Sequence, residues 1–329
     1  MIVEGLRRFE DDDEHVALVT RTLRLEPSAW RQVVARWCDA GSAGAPESRR
    51  LDDLTNALQR PPSSLSLTRP CLVCGATASC CDDDGVLRWL RCETCGHGAL
   101  LDGTAPRYDA AYYATRTPTG VGYDAYLAER EYREGKGRTL VDELIHRHGG
   151  APRTMLEVGS GFGFTRAAAQ RLGLTTTGVD VNPAAADGAL SLYGFETAVG
   201  TANGLDPSHR FDLVLYQFVL EHIADVRAEL KTARQLSRDG GLVCFVVPSM
   251  DATERRVFGS RYRSYRADHL HVFSRASVTR LLLEAGFVDV QLRSLCNLHL
   301  LRPFLSNAEL EALYARGEGP DLIVTARSP

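Results

Sequence analysis

Lysine is almost missing from this chain: of its 38 basic residues only Lys136 and Lys231 are lysines, and the rest are arginines. Long apolar runs are missing too. No segment approaches the ~18–20 residues that a membrane-spanning helix needs. The N-terminus, MIVEGLRRFEDDDEH, lacks the apolar stretch of a signal peptide. Neither a membrane span nor export is expected, and the expected compartment is the cytoplasm. A basic surplus is also absent. The formal net charge is −4, and no basic stripe of the kind that draws a protein onto nucleic acid is visible. Nucleic acid is therefore not an expected partner. What remains is a globular composition, 44% hydrophobic and 24% charged over 329 residues. That is enough chain for one α/β domain and one or two small modules.

Cysteine is present in an uneven way. Six of the nine lie between positions 71 and 95; the others are Cys38, Cys244 and Cys296. In a reducing compartment such clustering argues for metal rather than disulfides. Cys71-Leu-Val-Cys74-Gly and Cys92-Glu-Thr-Cys95-Gly are two matching knuckles. In each, two thiolates two residues apart face one ion, and the following glycine permits the tight turn. Together they predict a closed, structural Zn²⁺ site of four cysteines. Cys80 and Cys81 break the spacing and read as non-ligands in a hairpin loop; His97 is an alternative ligand. A ribbon this small has almost no core of its own, so metal must hold it. Such ribbons bind nucleic acid or protein in other settings, so the module alone does not define function.

Four regions follow along the chain. Residues 1–66 read as a helical N-terminal segment. In PSAWRQVVARW, Pro27 sits in the first turn and Trp30, Val33, Val34 and Trp37 recur at helical spacing. LDDLTNALQR is a second short helix. These helices are candidates for a lid, a docking element or the surface of a homodimer. RPPSSLSLTRP (60–70) reads as a linker. Residues 67–105 hold the ribbon. Residues 106–150 carry Tyr108, Tyr112 and Tyr113 and then a polar helix over 124–149, read as linker helices covering a cofactor site. From 151 to 329, short apolar runs alternate with amphipathic helices. TMLEVG, TTTGVD, FDLVLY and GLVCFVVPS read as buried parallel strands, and FVDVQLRSL with DLIVTARS as a terminal antiparallel pair. The fold class is α/β: a Rossmann-like, doubly wound, mostly parallel sheet.

The decisive segment is Leu156-Glu157-Val158-Gly159-Ser160-Gly161-Phe162-Gly163-Phe164. It follows a strand and opens a helix. Its glycines let the backbone approach a ligand with no Cβ in the way. Phe164 stands where a dinucleotide fingerprint wants a third glycine or alanine, which disfavours a dehydrogenase. Asp180 ends the next strand, where a carboxylate can accept both hydroxyls of a ribose. Asn182-Pro183 caps the helix that follows. The expectation is a hollow free of side chains between 156 and 180, with a carboxylate at its lip.

Residues 154–295 resemble class I S-adenosylmethionine (SAM) methyltransferases, on LEVGSGFG, GVDVNP, FDLV, LEHI and the paired glycines before the fifth strand. With the ribbon, residues 71–295 resemble bacterial zinc-ribbon methyltransferases of specialised-metabolite and surface-sugar pathways. The resemblance implies SAM as cofactor. It implies that Glu157, Gly159, Ser160 and Gly161 surround its methionine part, that Asp180 takes the ribose and that Val181 flanks the adenine. Thr201 and Ala202 occupy a loop where relatives hold an acidic residue near the adenine amine. Gln217 matches a residue beside the sulfonium. A tyrosine of the 108–113 stretch, Tyr113, folds over SAM or else packs between modules.

Two histidine clusters are catalytic candidates. His222, in Leu220-Glu221-His222-Ile223, is either a general base or a buried residue that orders its loop. His269, in Asp268-His269-Leu270-His271, resembles the base of zinc-ribbon sugar C-methyltransferases. Asp268, which stands where those proteins carry glutamate, is a candidate to orient the His269 ring, and Tyr265, one residue out of register, is a further catalytic candidate. The expected function is methyl transfer to a small-molecule acceptor, a natural-product or sugar intermediate, at C, O or N. Two alternatives are an RNA methyltransferase that grips RNA with the ribbon, and a non-catalytic SAM-binding scaffold. The charge, and a Tyr-Gln-Phe-Val exit from the fourth strand in place of a base-clamping Asn-Pro-Pro-Tyr type, weigh against RNA.

Overall fold

Aliphatic runs bounded by glycine make the strands here, and amphipathic stretches between them make the helices. The computed structural model describes residues 13–58, 67–101, 103, 108–124, 126–295 and 300–329. The first twelve residues and most of the expected linker, 59–66, lie outside the described residues.

Three helices come first: α1 (Asp13–Leu23), α2 (Pro27–Asp39) and α3 (Glu47–Ala57). The apolar stripe predicted on α2 is buried within the chain. Trp30 and Trp37 pack edge-on against Phe304, with ring centroids 5.8 and 5.2 Å away. The stripe that motivated a homodimer surface is therefore covered internally.

The ribbon follows, with β1 (Thr68–Pro70), β2 (Thr77–Asp83), β3 (Arg88–Cys92) and β4 (Gly98–Leu100). Thr68–Pro70, expected as linker, pairs with β2. Cys80 and Cys81 lie inside β2 rather than in a hairpin loop. The turn is made instead by Asp83 and Asp84, whose carboxylates accept the N–H groups of Gly85 and Val86.

The long helix α4 (Arg130–His148) starts six residues later than its sequence predicts. The rest of the chain alternates: β5 (Thr154–Val158), α5 (Phe164–Arg171), β6 (Thr175–Asp180), α6 (Pro183–Tyr193), β7 (Ala198–Val199), β8 (Phe211–Gln217), α7 (Val226–Leu236), β9 (Ser237–Pro248), α8 (Thr253–Phe258), β10 (His271–Val272), α9 (Arg275–Glu284), β11 (Val288–Leu295), α10 (Asn307–Ala315) and β12 (Asp321–Arg327). The main sheet runs β11-β12-β9-β8-β5-β6-β7. Its five central and distal strands are parallel, while β12 lies antiparallel between β9 and β11. Strand order reverses between β5 and β8, and ligands bind at the carboxyl edge of such a switch point.

Strand β10 belongs to the other sheet. It pairs with β4, His271 opposite Ala99 and Val272 opposite Gly98, and so completes a five-stranded sheet in the order β1-β2-β3-β4-β10. The ribbon thus shares a sheet with the α/β part of the chain.

Candidate functional site

At the carboxyl end of β5 the chain enters Gly159-Ser160-Gly161-Phe162-Gly163. All three glycines have positive φ, 69°, 50° and 80°, a conformation that costs any other residue. Gly163 then caps α5. Glu157 is buried beneath this loop. Burial pushes its carboxyl up to about 8, opposed by the nearby Arg166 charge. Its Oε2 and the buried Ser160 Oγ have no hydrogen-bond partner among the described residues. Buried polar atoms of this kind are normally satisfied, so each calls for a partner such as a ligand, an ion or an ordered water.

Asp180, at the tip of β6, organises the loop. Its Oδ2 accepts the Gly161 N–H at 2.8 Å and its Oδ1 accepts the Asn182 N–H at 2.9 Å. Each oxygen keeps a lone pair for a further donor. Asn182 accepts the Ala184 N–H at 3.0 Å as the cap of α6, and its Nδ2 donates to the Asp109 carbonyl at 2.8 Å. One carboxylate and one amide therefore join the sheet tip, the glycine loop and the tyrosine segment. Val181 is exposed beside Asp180. Thr201, exposed, and Ala202, buried, form the turn after β7. Gln217 ends β8 and accepts the Thr165 hydroxyl at 3.3 Å. The cofactor-binding candidates are thus gathered along the edges of β5, β6, β7 and β8.

The hollow is not free of side chains. A Cβ at Gly161 would meet the Tyr126 hydroxyl at 2.5 Å, and one at Gly159 would collide with Val219. Tyr126 stacks on Phe164 at 5.2 Å, and Tyr113 lies 4.7 Å from Phe162 and 4.8 Å from Tyr126. The Arg133 guanidinium sits 4.3 Å over the Tyr126 ring. The physical reason is apolar burial: Phe162 and Phe164 offer the tyrosines of this segment a surface, and the glycines leave space for one hydroxyl. This aromatic cluster also explains the late start of α4. Tyr113 packs on Phe162 and Tyr126, and it is Tyr126, which the sequence did not single out, that reaches Gly161.

Beyond β8 the backbone bends sharply. Phe218 adopts φ 56°, rare for an aromatic residue and characteristic of functional loops. A short turn, Leu220–His222, follows. His222 Nδ1 donates to the Asp268 carbonyl at 2.6 Å, and His269 Nδ1 donates to the Ser264 carbonyl at 2.9 Å. The two rings meet edge-on at 4.8 Å. His222 and His269 are therefore brought together. Burial lowers the pKa of both imidazoles, with Asp268 opposing.

Asp268 and Tyr265 are placed differently from expectation. The Asp268 carboxylate does not orient His269; it holds Arg266 in a two-pronged pair at 2.9 and 2.8 Å. Tyr265 points into the ribbon. It stacks on Trp89 at 4.5 Å and its hydroxyl donates to Asp82 at 3.1 Å. Trp89 offered the larger apolar face, and that burial decided the rotamer. Glu221, which the sequence reading passed over, is fully buried against the histidine pair, and neither carboxylate oxygen has a hydrogen-bond partner among the described residues.

In the ribbon, Cys71, Cys74, Cys92 and Cys95 each offer a sulfur, and all four sulfurs lie within 4.8 Å of one another. Val73 N–H and Cys95 N–H point at the sulfurs of Cys71 and Cys92, each at 3.4 Å. This donor set suits a tetrahedral Zn²⁺. Cys80 and Cys81 stand apart from it. His97 is turned away, with its Nε2 3.1 Å from His271 Nδ1.

Comparison with known proteins bears on this geometry. Residues 123–292, just over half the chain, match the family model described as a methyltransferase domain. The chain belongs to that family. This methyltransferase-domain protein is also 32% identical over 94 residues to a ubiquinone biosynthesis O-methyltransferase of Rhodopseudomonas palustris, covering 27% of this chain and 37% of that one. It is 37% identical over 98 residues to the protein of that name from Paramagnetospirillum magneticum, covering 27% and 38%. The chain thus spans under two-fifths of the length of these curated relatives. A solved SAM-dependent methyltransferase from Thermotoga maritima aligns over 62% of this chain and 93% of its own, at 18% identity and a TM-score of 0.45. Among the described residues, no helix of the protein is long and apolar enough to cross a membrane.

Proposed function

We propose that this protein transfers the methyl group of SAM to a small-molecule acceptor at the carboxyl edge of β5, β6 and β8. The observation that carries the reading is the pairing of a glycine loop, covered by the Tyr126 hydroxyl, with Asp180 at one end and the unpaired, buried Glu157 Oε2 and Ser160 Oγ at the other. Along SAM the ribose diol lies between adenine and sulfonium and the cationic amine lies at the far end of the methionine part, and these groups match diol and amine in that order. Glu157, Gly159, Ser160 and Gly161 hold the methionine part, Asp180 receives the ribose hydroxyls, and Val181, Thr201 and Ala202 border the adenine. Gln217 lies beside the sulfonium. Tyr126 leaves Gly161 to admit the cofactor, and Tyr113 remains over it.

SAM, when bound, supplies an electrophilic methyl carbon. An acceptor that starts protonated passes its proton to the free Nε2 of His222 or His269. His222 and His269 stand where the acceptor comes, each with Nδ1 committed to a carbonyl and Nε2 left with its lone pair. Proximity and orientation supply much of the acceleration. The four cysteines hold a structural Zn²⁺ that lets the ribbon support this edge.

The net charge of −4 favours a small acceptor over RNA, as do the names of the curated relatives. The test is release of S-adenosylhomocysteine from SAM with a panel of phenolic, sugar-nucleotide and amine acceptors, set against total RNA. Turnover with at least one small acceptor and none with RNA is expected. Turnover with RNA alone overturns the proposal.

A further inference from the structure

Glu221, His222 and His269 form a second group whose purpose the methyl-transfer reading does not exhaust. Glu221 is completely buried and both its oxygens are unpartnered among the described residues. A carboxyl buried this deeply, with no donor beyond its own backbone N–H, is expensive. Next to it stand two imidazoles, and one donor atom from each of the three residues lies within 4.8 Å of the others. Each imidazole has its Nδ1 pinned by a backbone carbonyl, His222 by Asp268 at 2.6 Å and His269 by Ser264 at 2.9 Å. A carbonyl accepts only, so each Nδ1 bears the hydrogen and each Nε2 bears the free lone pair. That is the arrangement by which proteins fix the tautomer and orientation of metal-binding histidines. The Arg266 guanidinium, whose charge acts on all three groups, is offset by its two-pronged pair with Asp268.

We infer that Glu221, His222 and His269 hold a divalent first-row transition cation, distinct from the metal of the four cysteines. Two imidazoles and one carboxylate suit Zn²⁺, Fe²⁺, Mn²⁺ or Co²⁺, whereas Mg²⁺ and Ca²⁺ favour all-oxygen sets. Three protein ligands leave coordination positions open, and an oxygen of the acceptor fills one of them. With the cation bound, both Nε2 lone pairs are engaged and the acceptor's proton, made more acidic by the cation, leaves to water; the histidines take it only in the cation-free protein. The role at the acceptor rests on the methyl-transfer reading; the binding of the cation does not.

The experiment is Co²⁺ titration of the full-length protein, first loaded with Zn²⁺ at the cysteines and then freed of loosely held metal. Thiolate-bound Co²⁺ absorbs strongly in the near ultraviolet, whereas Co²⁺ on nitrogen and oxygen gives only weak visible bands. One equivalent of Co²⁺ with visible bands and no thiolate band is expected. Glu221→Gln, close in shape, and His269→Gln should each weaken it by about tenfold or more. If one variant fails to fold, His222→Asn replaces it. Absence of this Co²⁺ at millimolar concentration in protein that metal analysis shows to hold a single Zn²⁺ per chain, or equal affinity in the folded variants, overturns the inference. S-adenosylhomocysteine binding is measured by calorimetry on the same samples. Intact binding without Co²⁺ removes the cation site alone; loss of cofactor binding in the wild type removes the methyl-transfer reading instead.

Discussion

Asp180, the proposed acceptor of the ribose hydroxyls, also has a structural task. By accepting the N–H groups of Gly161 and Asn182 it fixes the glycine loop and the start of α6 before any ligand arrives. Burial pushes its pKa up while the two N–H groups pull it down. Its replacement therefore removes both a contact and the support of the loop. Asp180→Ala is expected to weaken SAM binding by about tenfold or more, the loss of at least one charge-assisted hydrogen bond. Calorimetry measures this, and unchanged affinity counts against the assignment of the site. Glu221 and Glu157 share a different property: each is a buried carboxyl with unpaired oxygen. Each such oxygen calls for a donor, an ion or an ordered water at that point.

At the scale of the element, the tyrosine segment is the part of the site with two tasks. Residues 108–126 pack their rings against Phe162 and Phe164 and lay one hydroxyl over Gly161. They are tied down by the bond from Asn182 to the Asp109 carbonyl. A cofactor in the glycine loop must displace Tyr126 but need not break that tie. Hydrogen exchange across 110–126 should therefore change when S-adenosylhomocysteine is added, while the strand β5 stays protected. Exchange that is identical with and without the ligand shows that Tyr126 does not move.

Over the whole molecule, the ribbon and the α/β part act as one structure. Strand β10 closes the ribbon sheet two residues after His269. The Ser274 hydroxyl bonds the Cys95 carbonyl, Arg227 bonds the Val73 carbonyl at 2.6 Å, and Tyr265 reaches Asp82. His97 and His271 form a buried pair, and His271 Nε2 donates onward to the Ile223 carbonyl at 3.1 Å, beside His222. Loosening the knuckles should thus reach the histidine cluster. Cys71→Ser is expected to lower the melting temperature by about 5 °C or more, because metal binding is folding free energy in so small a module. Differential scanning calorimetry checks it. A variant with unchanged melting temperature and full methyl transfer shows that the knuckles do not support the site.

Sequence by itself determined the parts of this protein whose geometry is local. The glycine loop, the aspartate at the tip of β6, the Asn182-Pro183 cap and the two cysteine knuckles are short spacings, and a few backbone angles convert each into a shape. The alternation of apolar runs and helices decided the doubly wound sheet for the same reason. Tertiary structure alone decided what comes together from distant segments. It set Glu221 against His222 and His269, gave β10 to the ribbon, turned Tyr265 onto Trp89 and brought Tyr126 rather than Tyr113 over Gly161. Periodicity carries no record of such meetings. They follow from which apolar faces bury each other best, and that competition is settled only when the whole chain is packed.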